Sequence, residues 1–222
     1  MSGADLNGRS LLRYFKSSAG GPGATPRLAV GRPLKALLRP VATTADRLNP
    51  ADVACLSEWR NKFVSSFLNE FQATDRQTRE WLVNTVGPDD TRILFMLDDL
   101  NSRTFGYMGI AFIDWEKSYV EADAIVRGGD APPGTMAAAL KALLSWARHD
   151  LGLHEIHVRV RSDNPAVGFY KKLGFREFKR VPLRKSADEK NKVTWVEDDS
   201  AASSAVQLVY MRIDPALCDE KS

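Results

Sequence analysis

An asparagine and a tyrosine lie six residues apart in the segment NPAVGFYKKLGF, where a strand pattern gives way to a helix pattern. The side chain of Asn164 is expected to cap this helix, with Pro165 at its first position. The hydroxyl of Tyr170 has an ordinary pKa of about 10, above that of a thiol, so in a cleft it would protonate a departing thiolate. The alternative for Tyr170 is an aromatic side chain at an interface with its hydroxyl in water.

A second place for chemistry is the start of the helix that follows the loop GGDAPPG, residues 128–134. The first N–H groups of a helix are unpaired and its dipole is positive there, so a pyrophosphate is the natural ligand. Pro132 and Pro133 remove two N–H donors from the loop, and the side chain of Met136 must point away from the phosphates. The N–H groups that remain for binding are those of Gly134, Thr135, Met136 and Ala137.

Two carboxylates stand two positions apart in the segment SYVEADAIVRG, at Glu121 and Asp123. Side chains with this spacing in a strand lie on one face of the sheet. Either carboxylate is a candidate general base, acting through water, for a reaction that removes a proton from an amine. Asp114 is a further candidate, as a base or as a substrate-binding residue. For all three the alternative is solvent exposure or an ion pair.

Alternating and helical hydrophobic patterns predict a mixed α/β fold with a largely antiparallel sheet flanked by helices. The predicted strands cover residues 34–41, 92–97, 104–114, 118–128, 154–161, 175–183, 193–197 and 206–213. The predicted helices run from Asn49-Pro50 toward residue 67, and over 78–86, 136–152 and 164–173. The helix over 136–152 forms a βαβ crossover, and the strand over 206–213 is predicted at a sheet edge, where it could support a homodimer.

The charge is distributed unevenly along the chain. Residues 1–33 carry a net charge of +4 and the whole chain +3, so the remainder is close to neutral. Glycines and prolines between residues 20 and 26 favour a disordered basic arm over residues 1–33. The rest is long enough for one domain, over residues 34–213, with a tail over 214–222. A near-neutral body argues against a nucleic-acid partner.

The composition is that of an ordinary globular domain, with 44% hydrophobic and 27% charged residues. No stretch reaches the roughly 18 apolar residues that a membrane span needs. Cys55 and Cys218 lie near opposite ends of the chain, and the histidines between residues 149 and 157 match no common zinc motif. These patterns predict a cytoplasmic protein that binds no metal.

The segment NPAVGFYKKLGF resembles the Asn…Tyr…Gly-Phe segment of the GNAT N-acetyltransferase superfamily. The segment APPGTMAAALKALLSWAR is similar to the helix that follows the family's Arg/Gln-x-x-Gly-x-Gly/Ala loop, with Gly134 at the first motif glycine. It departs from that loop at Ala131, where a basic or amide residue is usual, and at Met136, where a small residue is usual. The resemblance covers residues 34–213 and implies a GNAT-like fold.

The resemblance also implies an enzyme that transfers an acyl group from acetyl-CoA, or another acyl-CoA, to a primary amine. The strand over 118–128 would splay from the strand over 154–161, and the pantetheine would pair with the backbone of the former. A backbone N–H near Val126 would polarise the thioester carbonyl, and Tyr170 would protonate the thiolate. The residues implied in cofactor binding are Ile125, Val126, Arg127, Gly134, Thr135, Met136, Ala137 and Asn164.

Within the superfamily the chain looks most similar to nucleotide-sugar N-acyltransferases. The segments that carry this similarity are LSEWRNKF (56–63), RGGDAPPGTM (127–136) and SDNPAVGFYKKLGFREFKRVPLRK (162–185). In this fold Trp59, Arg60 and Asn61 would border the acceptor cleft, where Arg60 would bind a phosphate and Trp59 would stack on a sugar or base. Trp115 and Trp195 are further candidates for stacking. The alternative is packed tryptophans and a surface arginine.

Three functions stay open from the sequence. The first is acylation, with an acetyl or short hydroxyacyl group, of the amine of a nucleotide-linked amino sugar. The second is acetylation of another amine, such as a protein N-terminus, a lysine or a small molecule. The third is a non-catalytic acyl-CoA-binding module, which the loss of a basic residue at Ala131 favours and the retention of Tyr170 disfavours.

Overall fold

The computed structural model describes residues 3–187, 192–201 and 204–214, which form a ten-stranded sheet with five α-helices. The strands are β1 (Leu28–Val30), β2 (Ala36–Pro40), β3 (Asn69–Glu70), β4 (Ile93–Asp99), β5 (Thr104–Asp114), β6 (Tyr119–Arg127), β7 (Glu155–Arg161), β8 (Phe175–Ala187), β9 (Val193–Glu197) and β10 (Gln207–Ile213). The helices are α1 (Gly3–Ser18), α2 (Pro50–Lys62), α3 (Asp75–Trp81), α4 (Thr135–His149) and α5 (Ala166–Lys172). A 3₁₀ turn spans Val64–Ser66, and a π-helical turn spans Leu82–Val86.

The strand order is β1-β2-β4-β5-β6-β7-β10-β8-β9-β3, and every pair is antiparallel except β6 with β7. The parallel pair is joined through α4, which is the predicted βαβ crossover. The predicted fold class, a mixed α/β fold with a largely antiparallel sheet flanked by helices, is therefore confirmed.

Local sequence accounts for the helix boundaries. The side chain of Asn49 accepts a hydrogen bond from the N–H of Ala51 at 2.9 Å and Pro50 takes the first position, so α2 begins where the sequence predicts. The apolar stripe of α4 is fully buried. Its members are Leu140, Leu143, Leu144 and Ala147.

The helices bury two hydrophobic clusters on opposite faces of the sheet. The larger cluster lies under α1, α4 and α5, and the smaller one lies under α2 and the π-helical turn. Ala122 of β6 belongs to the first cluster and Val126 to the second, although their even spacing would place both on one face of a regular strand. A β-bulge at Ala124, which has a φ of 53°, reverses the alternation between them.

Strands β6 and β7 pair over three residues only. Tyr119, Val120 and Glu121 face Glu155, Ile156 and His157, and beyond this point the two strands diverge. On its other side β7 pairs with β10, and β6 stays bonded to β5 as far as Arg127. The sheet therefore opens into a fork between β6 and β7, as the family resemblance of the sequence implied.

The expectation of a disordered arm over residues 1–33 is wrong for the described residues. Helix α1 buries Leu12 and Phe15 in the main cluster, where the Phe15 ring lies 4.9 Å from that of Trp146. The basic side chains occupy the other side of the helix. Arg13 pairs with Asp90 at 2.9 Å, for example. An amphipathic spacing that is hidden in a polar, glycine-rich composition therefore determines the structure here.

The expectation of an edge strand over 206–213 is also wrong. Strand β10 lies in the interior of the sheet, between β7 and β8, and is antiparallel to both. The neighbouring strand β8 is 13 residues long and covers the edge of β10 that faces away from β7. In the described part of the chain the sheet ends at β1 and β3. The edge-strand argument for a homodimer therefore falls away. The expected tail over 214–222 lies, from residue 215 on, outside the described residues.

Replacing Leu12 with alanine is expected to lower the free energy of unfolding by about 3 kcal/mol, since a fully buried leucine leaves a cavity when it is truncated. Leu34 is 45% exposed, and its replacement by alanine should change the stability by less than about 0.5 kcal/mol. Chemical denaturation of the two variants measures the difference. Equal stabilities would mean that α1 does not belong to the folded core.

Candidate active site

Two clefts meet where β6 and β7 separate. The first, here called the fork cleft, has a volume of about 480 Å³ and opens on the side of α2. The second, the loop groove, has a volume of about 410 Å³ and runs between the first turn of α4 and α5. The residues that line both clefts are Ile125, Arg127, Ala166 and Tyr170. A molecule bound in the groove can thus present one end to the fork cleft.

Tyr170 is the aromatic side chain at this junction. It is 6% exposed, and its ring packs edge-on against Phe169 and Phe175 at 5.5 and 5.6 Å. Burial raises the pKa of Tyr170 well above its ordinary value, and the nearby charge of Asp123 raises it further. The phenol therefore keeps its proton at neutral pH.

Asn164 holds the start of α5 in place. Its side-chain oxygen accepts a hydrogen bond from the N–H of Ala166 at 2.9 Å, and its amide donates to the carbonyl of Ser66 at 3.3 Å. The predicted capping role matches this geometry, although the helix itself begins two residues later. Asn164 also lines the fork cleft, so it positions α5, and with it Tyr170, against the segment that follows α2.

The two carboxylates of β6 differ in their surroundings. Glu121 is 6% exposed and accepts hydrogen bonds from the hydroxyl of Tyr119 at 2.5 Å and from Nε of Arg159 at 2.6 Å. Asp123 lies on the same face, as its spacing predicts, but within the described residues it forms no ion pair. Of the two, Asp123 is the carboxylate that remains free to accept a proton.

The environment of Asp123 shifts its titration. Asp123 is exposed to solvent where it lines the wall of the fork cleft. Desolvation by the walls of the cleft raises the pKa of Asp123. The charge of Arg92 and a hydrogen bond from the N–H of Ala124 lower it, and the charge of Glu121 raises it. A carboxyl group with a raised pKa is a stronger base once ionised, as general-base catalysis requires.

The loop groove has the features of an anion site at the start of α4, a helix of 15 residues. Gly134 has a φ of 80°, and nothing lies within 4 Å of the position that a Cβ there would occupy. The hydroxyl of Thr135 is buried and has no hydrogen-bond partner in the described part of the chain. These features fit the pyrophosphate of an acyl-CoA.

The side chain of Met136 and the N–H of Thr135 define which donors remain. The sulfur of Met136 lies toward β5, 3.6 Å from where a Cβ on Gly106 would stand, and Met136 also lines the loop groove. The N–H of Thr135 donates to the carbonyl of Pro132 at 3.2 Å, which removes it from the expected set. The first-turn donors that are left are those of Met136 and Ala137.

The backbone of β6 beyond Glu121 has one unpaired edge. Val126 pairs with Tyr107 and Arg127 with Gly106 on the β5 side, whereas no described strand pairs with the edge toward β7. The bulge at Ala124 offsets the backbone of Ile125 from β5. An extended chain such as pantetheine can pair with such an edge.

Trp59 and Asn61 are parts of the framework. Trp59 is 6% exposed, stacks on Tyr107 at 6.2 Å and covers Gly128, where any Cβ would overlap the indole ring. Both polar atoms of the Asn61 side chain bond to the backbone of Ala73, at 2.7 and 2.9 Å. Neither residue lines the fork cleft or the loop groove.

Asp114 also serves the framework. It lies at the turn between β5 and β6, accepts hydrogen bonds from the N–H groups of Glu116 and Lys117, and pairs with the Lys117 side chain at 2.9 Å. It lines neither cleft. Trp115 is 5% exposed, and the indole of Trp195 donates to Glu70 at 2.6 Å. All three were candidates from sequence and lie outside the fork cleft.

Arg60 does line the fork cleft. Its guanidinium lies between the rings of Phe67 and Phe71, 4.5 and 4.2 Å from their centres, and one terminal nitrogen donates to the carbonyl of Asn69 at 2.6 Å. Its Nε is buried and has no partner within the described residues. Desolvation lowers the pKa of Arg60, and the neighbouring Tyr107 and Asp123 raise it.

Sequence reasoning missed Arg159 and Arg161, which also line the fork cleft. Arg159 pairs with Glu121, and Arg161 pairs with Glu70 and Asp163, both at 2.7 Å. The alternating pattern of β7 puts both arginines on the face opposite its buried valines. That alternation was visible in the sequence and would have placed them beside Glu121.

No helix in the described part of the chain has the length and apolar character to cross a membrane. Within residues 3–187, 192–201 and 204–214, no cluster of histidine, cysteine and carboxylate side chains could hold a metal ion. Cys55 is a free thiol, and Cys218 lies outside the described residues.

Solved structures share this architecture. A spermidine N-acetyltransferase from Vibrio cholerae, in complex with CoA and spermine, is 17% identical over 80% of this chain and 95% of its own, with a TM-score of 0.60. A GCN5-related N-acetyltransferase from Brucella melitensis is 16% identical over 88% of this chain and 84% of its own, with a TM-score of 0.62. At these identities the likeness concerns the fold.

A search of curated proteins finds no match. The profile of the Acetyltransferase (GNAT) domain matches residues 37–176, which is more than half of the chain. This segment contains the fork, the first turn of α4 and Tyr170. The forked sheet and the profile agree, and the chain belongs to the GNAT acetyltransferase family, the acyl-CoA-dependent N-acyltransferases.

Proposed function

We propose that this protein transfers an acyl group from an acyl-CoA in the loop groove to the primary amine of a small molecule in the fork cleft. The observation that carries the proposal is the position of Tyr170, which lines both clefts, while the carboxylate of Asp123 lines the fork cleft. Among the described residues, the two clefts meet at one place. A proton acceptor, Asp123, and a proton donor, Tyr170, flank that place.

In the proposed reaction, Asp123 accepts a proton from the amine, directly or through one water. The amine nitrogen forms a bond to the thioester carbon, and the carbon–sulfur bond breaks. Tyr170 donates its proton to the sulfur, so the products are an amide and a thiol. Asp123 then loses its proton to solvent, the phenolate regains one from solvent, and both side chains return to their starting states. Holding both reactants in one fork supplies much of the rate by proximity.

The loop groove would hold the cofactor through two kinds of contact. The N–H groups of Met136 and Ala137, which line the groove, would bind the pyrophosphate, and the unpaired edge of β6 would bind the pantetheine. When bound, the cofactor supplies the activated acyl group. Asn164 would act on this site by positioning α5 rather than by touching the cofactor.

The acceptor is a finer proposal. The similarity of three sequence segments to nucleotide-sugar N-acyltransferases supports a nucleotide-linked amino sugar, with an acetyl or short hydroxyacyl donor. Another amine is the second candidate, because the solved structures of like fold include spermidine N-acetyltransferases. An acyl-CoA-binding module without catalysis would keep the groove and not need Asp123.

Thiol release from acetyl-CoA in the presence of an amine tests the proposal. The acceptors should include a nucleotide-linked amino sugar and spermidine, and hydroxybutyryl-CoA should be compared with acetyl-CoA as donor. Amine-dependent release is the expected result. Tight binding of acetyl-CoA, with no release for any amine, would leave a binding module as the function.

Replacing Arg127 with glutamine is expected to raise the KM for acetyl-CoA about tenfold, because Arg127 lines the loop groove at the end of β6 and the loop has no basic residue at Ala131. The KM for S-acetylpantetheine, which lacks the phosphates, should change less than twofold. Steady-state kinetics with both donors measures the two effects. An equal loss for both donors would mean that Arg127 shapes the fork and does not bind phosphate.

A further inference from the structure

The charge of the acceptor can be inferred from the side chains of the fork cleft, if the proposed function is right. Two carboxylates line this cleft, Glu121 and Asp123. Glu121 is already neutralised by Arg159 at 2.6 Å and accepts the Tyr119 hydroxyl. Among the described residues, only Asp123 remains for an amine, and it is needed as the base.

The carboxylates just outside the cleft are occupied as well. Glu70 accepts hydrogen bonds from Arg161 and from the indole of Trp195, at 2.7 and 2.6 Å. Asp163 holds the other terminal nitrogen of Arg161 at 2.7 Å. In the described part of the chain, the second ammonium group of a polyamine would therefore find no free carboxylate in the fork cleft and would face several guanidinium groups.

Arg60, in contrast to these paired carboxylates, is a charged side chain without an ion-pair partner among the described residues. It is the cleft-lining arginine of α2, and none of the ion pairs among the described residues includes it. Its Nε is buried without a partner, while Phe67 and Phe71 hold the plane of the guanidinium. A guanidinium that is held in one orientation and forms no ion pair binds a carboxylate or phosphate more strongly than a freely rotating, solvated one does.

We propose that the acceptor carries an anionic group, a phosphate or a carboxylate, beside its amine, that Arg60 binds this group, and that polyamines are poor acceptors. The amine lies at Asp123 and Tyr170, and the anionic group extends from there toward the end of α2. This assignment distinguishes the chain from the spermidine N-acetyltransferases that share its fold.

A matched series of acceptors tests the charge preference in the wild-type protein. Hexylamine, diaminohexane, aminohexanoate and aminohexyl phosphate have the same chain and differ in the group at the far end. With acetyl-CoA we expect kcat/KM for the two anionic amines to exceed that for diaminohexane at least tenfold. The better of the two anions identifies the group. Diaminohexane as the equal or better acceptor would overturn the proposal.

The variant Arg60→Gln tests the residue. It should lower kcat/KM for the better anionic amine about 10–100-fold and change that for hexylamine less than about threefold. Arg27→Gln is the control, because this exposed arginine precedes β1 at the far edge of the sheet. An equal loss for all acceptors would mean that Arg60 only supports the loop at Asn69, and would refute its role.

Binding separates this proposal from the proposed function. Aminohexyl phosphate is titrated by calorimetry into the CoA-loaded wild type and into Arg60→Gln and Arg60→Lys. The Lys variant preserves the charge should the Gln variant fail to fold. Absence of thiol release with any amine would refute catalysis alone. Binding of the phosphate that does not weaken in either variant would refute the role of Arg60.

Discussion

Replacing Tyr170 with phenylalanine should lower kcat about 100-fold and change the KM for acetyl-CoA less than twofold. The phenol lies at the junction of the two clefts, and burial keeps it protonated, so its proton is available for the departing thiolate. Phenylalanine retains the ring that packs against Phe169 and Phe175 and removes only the hydroxyl. Steady-state thiol release at several pH values measures the effect.

A tyrosine outside the site provides the control. Tyr14 on α1 is 55% exposed, and its replacement by phenylalanine should leave kcat unchanged. A thermal unfolding curve for each variant separates loss of chemistry from loss of fold. Turnover of Tyr170→Phe at the wild-type rate, at neutral and at high pH, would show that the thiolate leaves without a proton from this residue.

The elements that position Tyr170 and Asp123 were predictable because each has a strong local pattern. The leucine stripe of α4 and the alternation of β7 determine which face is buried whatever they pack against. The same is true of the helix start at Asn49 and Pro50. These elements form the crossover and the fork, so the place of the site followed from the sequence.

The N-terminal helix was not predictable from composition. Residues 1–33 are polar and basic on average, and this average favours a disordered segment. The helix is indicated by the spacing of Leu12 and Phe15, which places both side chains on one face, and composition alone does not contain this spacing. The interior position of β10 was hidden for another reason. It depends on how far β8 extends and where it returns, which is a long-range pairing that no local pattern encodes.

Residues that are neighbours in the sequence have different roles at the site, and the sequence does not show which residue has which role. Trp59, Arg60 and Asn61 are consecutive, yet the first packs on Gly128, the last bonds to Ala73, and only Arg60 reaches the cleft. Helical geometry directs consecutive side chains about 100° apart. Which of the three faces the cleft depends on where α2 docks, and this is a tertiary property.

Replacing Asp123 with asparagine should lower kcat/KM about 100-fold and at the same time stabilise the protein at neutral pH. The loss of rate follows from the loss of the base. The gain in stability follows from the raised pKa of Asp123. Because the folded state holds this proton more tightly than the unfolded state, the stability of the wild type falls as the pH rises from the unfolded pKa through the folded one. Asparagine does not ionise and avoids this loss.

The pH dependence and a second variant make the test of Asp123 specific. The wild-type rate should fall as the pH drops through the raised pKa of Asp123. The pH at which the rate falls should be the same for two acceptors whose amines differ in pKa. The gain in stability of Asp123→Asn should shrink toward acid pH.

The variant Glu121→Gln is expected to destabilise the protein instead. It should lower the free energy of unfolding by about 2 kcal/mol, because it leaves Arg159 without its partner. Destabilisation by Asp123→Asn, with activity retained, would identify Asp123 as a structural carboxylate and leave the amine to lose its proton to water.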